Sequence, residues 1–129
     1  VSVESDGTSG AGIVDRATQV SGTFDGNGLL VVTIDDLENP ANTVILTDDF
    51  TGTVGTTVID TNDDGIIDDL STFGTIYDAL GLADQESGDF LYGDQLGGED
   101  FAHIGDEARL VFRDGDTQRW FAIDDIYVD

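Results

Sequence analysis

The sequence predicts an all-β protein, a sandwich of short antiparallel strands joined by long acidic loops. Apolar and β-branched residues occur in short runs, and turn signals built from Asp, Asn and Gly separate these runs at close intervals. No stretch shows a persuasive helical period. This combination is typical of β-sandwiches. The 129 residues, 39% of them hydrophobic, suffice for one buried core. We therefore expect a single domain over residues 1–129.

Nine segments have the composition of strands. In chain order they are residues 1–4, 13–20, 29–34, 43–47, 56–59, 73–82, 108–112, 119–123 and 126–128. The run 29–34 is apolar almost throughout, which predicts a strand buried on both faces. Residues 73–82 also contain helix formers, so a short helix is the alternative there, although we favour a strand.

Two connections between these segments carry clear signals. Residues 83–105 are rich in Gly and Asp and predict a long surface loop. Residues 113–118 contain Asp114-Gly115 and predict the turn of a hairpin.

The charge balance limits the classes of partner. The chain has 28 acidic residues against four arginines, and its formal net charge is −24. Such a charge disfavours nucleic acid and anionic membranes and favours cations and saline media. The absence of cysteine excludes disulfides and zinc-thiolate sites. No apolar run approaches the roughly 20 residues that span a membrane, so we expect no membrane insertion.

The chain begins with Val1 and contains no Met. This favours processing from a longer precursor. Together with the acidity, it predicts an extracellular or cell-surface protein in a calcium-containing, salt-rich, halophilic setting.

One acidic loop has the spacing of a calcium site. Oxygen-bearing side chains alternate before Gly65, which permits a sharp turn, and a backbone carbonyl and further acids follow. The candidate Ca²⁺ ligands are Asp60, Asn62, Asp64, the carbonyl of Ile66, Asp68 and Asp69. Ser71 stands at the twelfth position, where a full EF-hand has a bidentate Glu. The calcium coordination shell must therefore be completed by Asp68, Asp69 or an acid elsewhere. We expect weak binding of the extracellular kind. The alternative is a surface turn that binds nothing.

Other acidic pairs invite an enzymatic interpretation, because two carboxylates are the minimum for glycoside hydrolysis. The pairs are Asp35/Asp36, Asp48/Asp49, Glu99/Asp100 and Asp124/Asp125. In so acidic a chain such pairs arise from composition alone. Second cation sites and solvated surface are the other interpretations, and we favour solvated surface for most of them.

The rarer residue types point to structure rather than catalysis. His103 is the only histidine, which excludes a multi-histidine metal centre, and no nucleophile elbow accompanies it. Trp120, with Phe112 and Phe121, indicates cross-strand packing. The arginines near the predicted hairpin can pair with local acids or with an acidic neighbouring molecule. They are Arg109, Arg113 and Arg119.

The order of segments resembles lamin-tail-like β-sandwich domains of secreted bacterial proteins. The matching segments are residues 10–16, 27–32, 50–55, 60–68, 77–82 and 92–101. The resemblance implies an immunoglobulin-like sandwich that serves as an accessory or adhesive module, sometimes beside nucleases, without a catalytic apparatus. Such domains usually open with strands that are missing here, so either the chain is a fragment or another subunit completes the sandwich.

From the sequence we therefore expect a non-catalytic, extracellular, calcium-binding structural or adhesive module. Short strands at residues 1–4 and 126–128 predict unpaired edges, through which copies of the chain or other surface proteins could join into a filament. A monomeric fragment is the alternative state. The rival function is a metal-assisted hydrolytic domain, or an accessory domain of a secreted nuclease.

Overall fold

The computed structural model describes residues 1–7, 10–34, 37, 41–83, 88–102, 107–113 and 120–127, with side chains described as far as residue 101. In this part of the chain the regular structure is eight strands and one 3-10 turn, Asp94–Leu96. The strands are β1 Ser2–Glu4, β2 Val14–Arg16, β3 Leu29–Leu30, β4 Asn42–Thr47, β5 Ile76–Ala83, β6 Glu99–Ala102, β7 Glu107–Arg113 and β8 Trp120–Tyr127. The all-β prediction is confirmed.

The chain divides into two compact units. The first comprises Val1–Ala17 and Leu37–Ile104, and the second comprises Thr18–Asp36 and Gly105–Asp129. The single domain and the immunoglobulin-like sandwich stay predictions.

The first unit contains a five-stranded sheet in the order β2-β1-β4-β5-β6. β1 pairs with both β2 and β4, so Val3 lies opposite Val14 on one side and Thr43 on the other. The predicted free edge at residues 1–4 is therefore wrong, because the chain returns along β2 and covers it.

The sequence predicted antiparallel strands, but one pair in this sheet is parallel. β5 and β6 run parallel, with Leu80 opposite Glu99. The intervening residues 84–98 are long enough for the crossover that a parallel pair requires.

The core of the first unit lies around β4. Residues 42–45 are all buried, so this strand is covered on both faces, as its apolar run predicts. The buried cluster consists of Val3, Val14, Ile45, Ile59, Ala79 and Tyr92. Tyr92 shows that the prediction of one surface loop over residues 83–105 is wrong. That stretch also contributes the 3-10 turn and β6.

Two further segments differ from their predictions. Residues 56–59 form no named strand, but Val58 makes an isolated bridge to Ile13 and the Val14 N–H donates to the Thr57 carbonyl at 2.8 Å. Residues 17–20 lie beyond the end of β2 and are exposed. The strand predicted over residues 73–82 is confirmed by β5.

The second unit contains a three-stranded sheet in the order β3-β8-β7. β7 and β8 are antiparallel, which confirms the predicted hairpin pair. Its turn lies outside the described residues. β8 continues to Tyr127, so residues 126–127 belong to this strand and do not form a separate one. They pair with β7, whereas β3 pairs only with Trp120 and Phe121, so the unpaired edge at residues 126–128 stays a prediction.

The strand predicted at residues 29–34, buried on both faces, is wrong in its length and burial. Only Leu29–Leu30 forms a strand, and it pairs parallel with β8. Val31 is 63% exposed. An apolar run predicts burial only where a partner strand extends alongside it, and β3 has such a partner for two residues.

Candidate functional site

The acidic loop begins where the core of the first unit ends. Ile59 is fully buried, and Asp60, the next residue, is only 1% exposed. The Ile59 carbonyl accepts the N–H groups of Asp68 at 2.9 Å and Asp69 at 3.1 Å. These bonds join the two ends of the loop, so residues 60–68 form a closed turn on a rigid base.

The buried carboxylate of Asp60 organises the turn. Its Oδ1 accepts the Asp64 N–H at 3.2 Å, and its Oδ2 accepts the Gly65 N–H at 2.8 Å. The Tyr92 hydroxyl, from within the core, donates to the same Oδ2 at 3.0 Å. A buried carboxylate is costly unless it is hydrogen-bonded, and these three donors meet that requirement.

Two residues with positive φ reverse the chain around Asp60. They are Asp63, at φ 55°, and Gly65, at φ 81°. A side chain at position 65 would also bring its Cβ to 3.0 Å from the Phe90 ring. Glycine is therefore required both for its conformation and for its small size.

Gln95, on the 3-10 turn, holds the far side of the loop. Its Nε2 donates to the Gly65 carbonyl at 2.8 Å, and its Oε1 accepts the Ile67 N–H at 3.0 Å. Tyr92 and Gln95 are contacts of the acidic loop that the sequence analysis did not predict. The available signal was the apolar triplet at residues 90–92 inside a polar stretch.

The predicted ligands after Asp60 are engaged with one another. Asp64 accepts the Ile66 N–H at 2.9 Å and the Asn62 amide at 3.1 Å through its two oxygens. The Thr61 hydroxyl donates to both oxygens of Asp68 at 2.9 Å. Asp60, Asn62 and Asp64 thus share one turn, whereas Asp68 is tied to the start of the loop.

Asp69 lies at the exit of the loop and accepts the Ser71 N–H at 2.8 Å. This bond lowers the pKa of the Asp69 carboxyl. Within the described residues, no group of three or more His, Cys, Asp or Glu side chains is arranged to hold a metal ion. The loop as it stands is a hydrogen-bonded turn in which Asp60 is buried and the other acids lie at the surface.

The charge of this turn is uncompensated among the described side chains. No ion pair there involves Asp60, Asp63, Asp64 or Asp68. The pKa of Tyr92 is raised strongly, first by burial, then by its bond to Asp60 and by the charges of the neighbouring acids. The turn is therefore a local centre of negative potential.

Other sequence candidates have structural roles where they are described. Asp48 accepts the Thr75 N–H at 2.7 Å and the Tyr77 hydroxyl at 3.2 Å, which braces the approach to β5. The first of these bonds is the main reason that the Asp48 pKa is lowered. Asp48 is therefore an acceptor that fixes the backbone at Thr75.

A second acidic group lies along β5, β6 and the 3-10 turn. Burial raises the pKa of Asp78 and of Asp100, and the charges of Glu99 and Asp94, respectively, add to these shifts. Asp100 Oδ1 is buried without a hydrogen-bond partner among the described atoms.

Several candidates cannot be placed in a site. Asp35, Asp36, His103 and Arg119 lie outside the described residues, as do the side chains of Arg109, Phe112, Arg113, Trp120, Phe121, Asp124 and Asp125. The backbone register alone puts Phe112 opposite Phe121, which agrees with the predicted cross-strand pair.

The chain was compared with known proteins, and no family model, curated protein or solved structure matches it. The resemblance to lamin-tail-like domains stays a prediction. In the described part of the chain, no helix is long and apolar enough to cross a membrane.

Proposed function

We propose that this protein is a non-catalytic, extracellular or cell-surface structural or adhesive module whose acidic loop binds Ca²⁺. The observation that carries the proposal is the buried Asp60 carboxylate at the base of a closed turn, with exposed acids around it and no basic partner among the described side chains. A hard cation is the simplest neutraliser for such a group of oxygens.

Binding requires movement of exposed side chains only. Asp60 stays fixed by its three donors and can offer the remaining lone pair of its Oδ1. Asn62 and Asp64 must give up their mutual bond, and Asp68 must leave Thr61. All three are exposed, so rotation costs little packing. The exchanged hydrogen bonds reduce the net gain, which favours the weak affinity of extracellular sites.

The loop suits a structural role because its base belongs to the core. Ile59 and Tyr92 are both fully buried members of the main cluster. An ion at this loop would therefore stabilise the fold of the first unit. A metal-assisted hydrolase would instead need an open coordination position beside a cleft.

Adhesion and assembly with copies of the chain or with other surface proteins form part of the same proposal. They cannot use the strand at residues 1–4 as a free edge, because β1 is paired on each side. Residues 126–127 pair with β7 on one side and have no partner on the other side among the described strands, so they stay a candidate contact edge.

Thermal unfolding with EDTA, with CaCl₂ and with MgCl₂ tests the calcium proposal. Calcium should raise the melting temperature, because it stabilises the folded state by about 2.7 kcal/mol when its free concentration is about 100 times the dissociation constant. Magnesium should act less, because it dehydrates reluctantly and demands octahedral geometry.

Two alanine variants sharpen this test. Asp64→Ala should abolish the response to calcium. Asp25→Ala is the matched control, because Asp25 also caps a surface turn, accepting the Asn27 and Leu29 N–H groups, and it should leave the response intact. An unchanged midpoint with calcium, or equal responses of the two variants, would contradict the proposal.

A further inference from the structure

β7 is the edge strand best suited to self-association among the described strands. It spans seven residues and lies at the end of its sheet. β3, at the opposite edge, has two residues, and β2 has three and is bonded to residues 55 and 57. β6 has four residues and carries only acidic charges, Glu99 and Asp100.

An unpaired strand edge is a template for strand addition, and a symmetric pair of identical edges closes into a dimer. We propose that β7 pairs antiparallel with β7 of a second copy of this chain, in the register centred on Leu110. The inference rests on the edge position and on the sequence of the strand, not on the calcium loop.

Backbone geometry restricts the possible registers. Alternate residues of an edge strand present their N–H and C=O groups outward, and a hydrogen-bonded antiparallel pair joins two such residues. In two identical strands, the outward-presenting residues are the same, and any two of them are separated by an even number of positions. A two-fold pairing must therefore be centred on a residue, not between two residues.

Charge then selects one register. Centred on Arg109, the strands would place that arginine opposite its own copy. Centred on Val111, they would place Arg109 opposite Arg113. Like charges directly opposite each other destabilise a strand pair, so both neighbouring registers are disfavoured.

The register centred on Leu110 has the opposite property. Glu107 falls opposite Arg113 of the second copy, and symmetry makes this pair twice. Ala108 falls opposite Phe112, and Leu110 falls opposite itself. All seven positions of the strand are used, and opposite charges stand at both ends. Arg109 falls opposite Val111, so no two like charges stand directly opposite each other.

Within one chain, Glu107 and Arg113 are not opposite each other, because their register partners on β8 are Tyr127 and Trp120. In the proposed register, each of these two charges lies opposite the other only across the contact between copies. The net charge of −24 opposes association, and two seven-residue strands form a small interface. A weak dimer is expected.

Sedimentation equilibrium with charge-swapped variants tests the pairing, at about 0.15 M salt to shorten the Debye length to about 8 Å, in both calcium and EDTA. The wild type should shift with concentration from 13.7 kDa toward twice that mass. Glu107→Arg and Arg113→Glu should each raise the dissociation constant about tenfold or more, since symmetry doubles each changed pair. The double variant should recover association, because position 107 again meets its opposite charge.

Arg16→Glu is the matched control, since it changes the net charge as Arg113→Glu does but lies on β2. It should associate like the wild type. The recovered double variant also excludes misfolding as the cause of the single-variant losses. A wild type that stays monomeric up to about 1 mM, beyond the range of most specific weak interfaces, overturns the inference. So does a dimer that ignores the single reversals, or one that the double variant fails to restore.

Discussion

The Tyr92 hydroxyl donates a hydrogen bond to the Asp60 carboxylate at 3.0 Å, and both residues are almost completely buried. This contact joins the centre of the core to the base of the acidic loop. It follows that the stability of the first unit and the shape of the candidate calcium site depend on the same bond.

Tyr92→Phe should destabilise the protein by about 1–3 kcal/mol, because it removes a donor from a buried carboxylate while keeping the ring. Chemical denaturation measures this change. Tyr77→Phe is the control, since Tyr77 also donates to an aspartate, Asp48, but is 63% exposed. Equal losses of unfolding free energy in the two variants would show that the buried bond to Asp60 stabilises the protein no more than the exposed bond to Asp48 does.

Gly65→Ala and Gly55→Ala separate backbone strain from crowding. Both glycines have positive φ, 81° and 77°, so each alanine should cost about 1–2 kcal/mol in strain. Only Gly65 has a neighbour, the Phe90 ring at 3.0 Å from the added Cβ. Gly65→Ala should therefore lower the free energy of unfolding by more than Gly55→Ala does, as measured by urea denaturation. The reverse order would contradict the packing described for the loop.

Gln95→Ala should loosen the loop without unfolding the protein. The variant loses the acceptor of the Ile67 N–H and the donor to the Gly65 carbonyl. Hydrogen exchange at the Ile67 amide should accelerate, and calcium affinity should fall with it. Gln19→Ala, at an exposed position outside the loop, should change neither quantity. Unaltered exchange at Ile67 would show that the Gln95 clamp is not formed.

Asp100→Asn should stabilise the protein relative to the wild type as the pH rises. Burial and the charge of Asp94 raise the pKa of Asp100 above its ordinary 3.8. The folded state thus binds this proton more tightly than the unfolded state, and wild-type stability falls as the pH rises from 3.8 through the raised pKa. Asparagine cannot ionise, so the variant escapes this loss.

Asp25→Asn is the paired control for that pH series, measured in EDTA. The Leu29 and Asn27 N–H groups lower the pKa of Asp25, so its contribution to stability is present above its ordinary pKa and is lost as the pH falls through the lowered value. The two variants should diverge from the wild type in opposite directions. Parallel curves would contradict the buried setting of Asp100.

Local chemistry made part of this fold predictable. The composition of residues 43–47 predicted the strand that β4 forms, and Asp, Asn and Gly around position 65 predicted a sharp turn. In both cases the signal lies within a few residues. The preference for a strand over a short helix at residues 73–82 is confirmed by β5.

Long-range pairing was not predictable in the same way. Nothing in the local sequence says that Tyr92 reaches Asp60, or that β6 joins β5 in parallel, since both depend on the path of residues 84–98. The prediction of a long buried strand at residues 29–34 was wrong for a related reason. Apolar composition predicts burial, but the extent of a strand depends on how far its partner runs beside it.

The most direct test of the calcium proposal is an anomalous-scattering map of crystals grown with calcium. The account predicts one ion held by oxygens of Asp60, Asn62, Asp64 and the Ile66 carbonyl at about 2.3–2.6 Å, with Asp68, Asp69 or water completing the shell. An ion with an open position beside a cleft would favour the hydrolytic alternative instead. No ion at this loop, at calcium concentrations of a few millimolar as in extracellular modules, would contradict the proposed function.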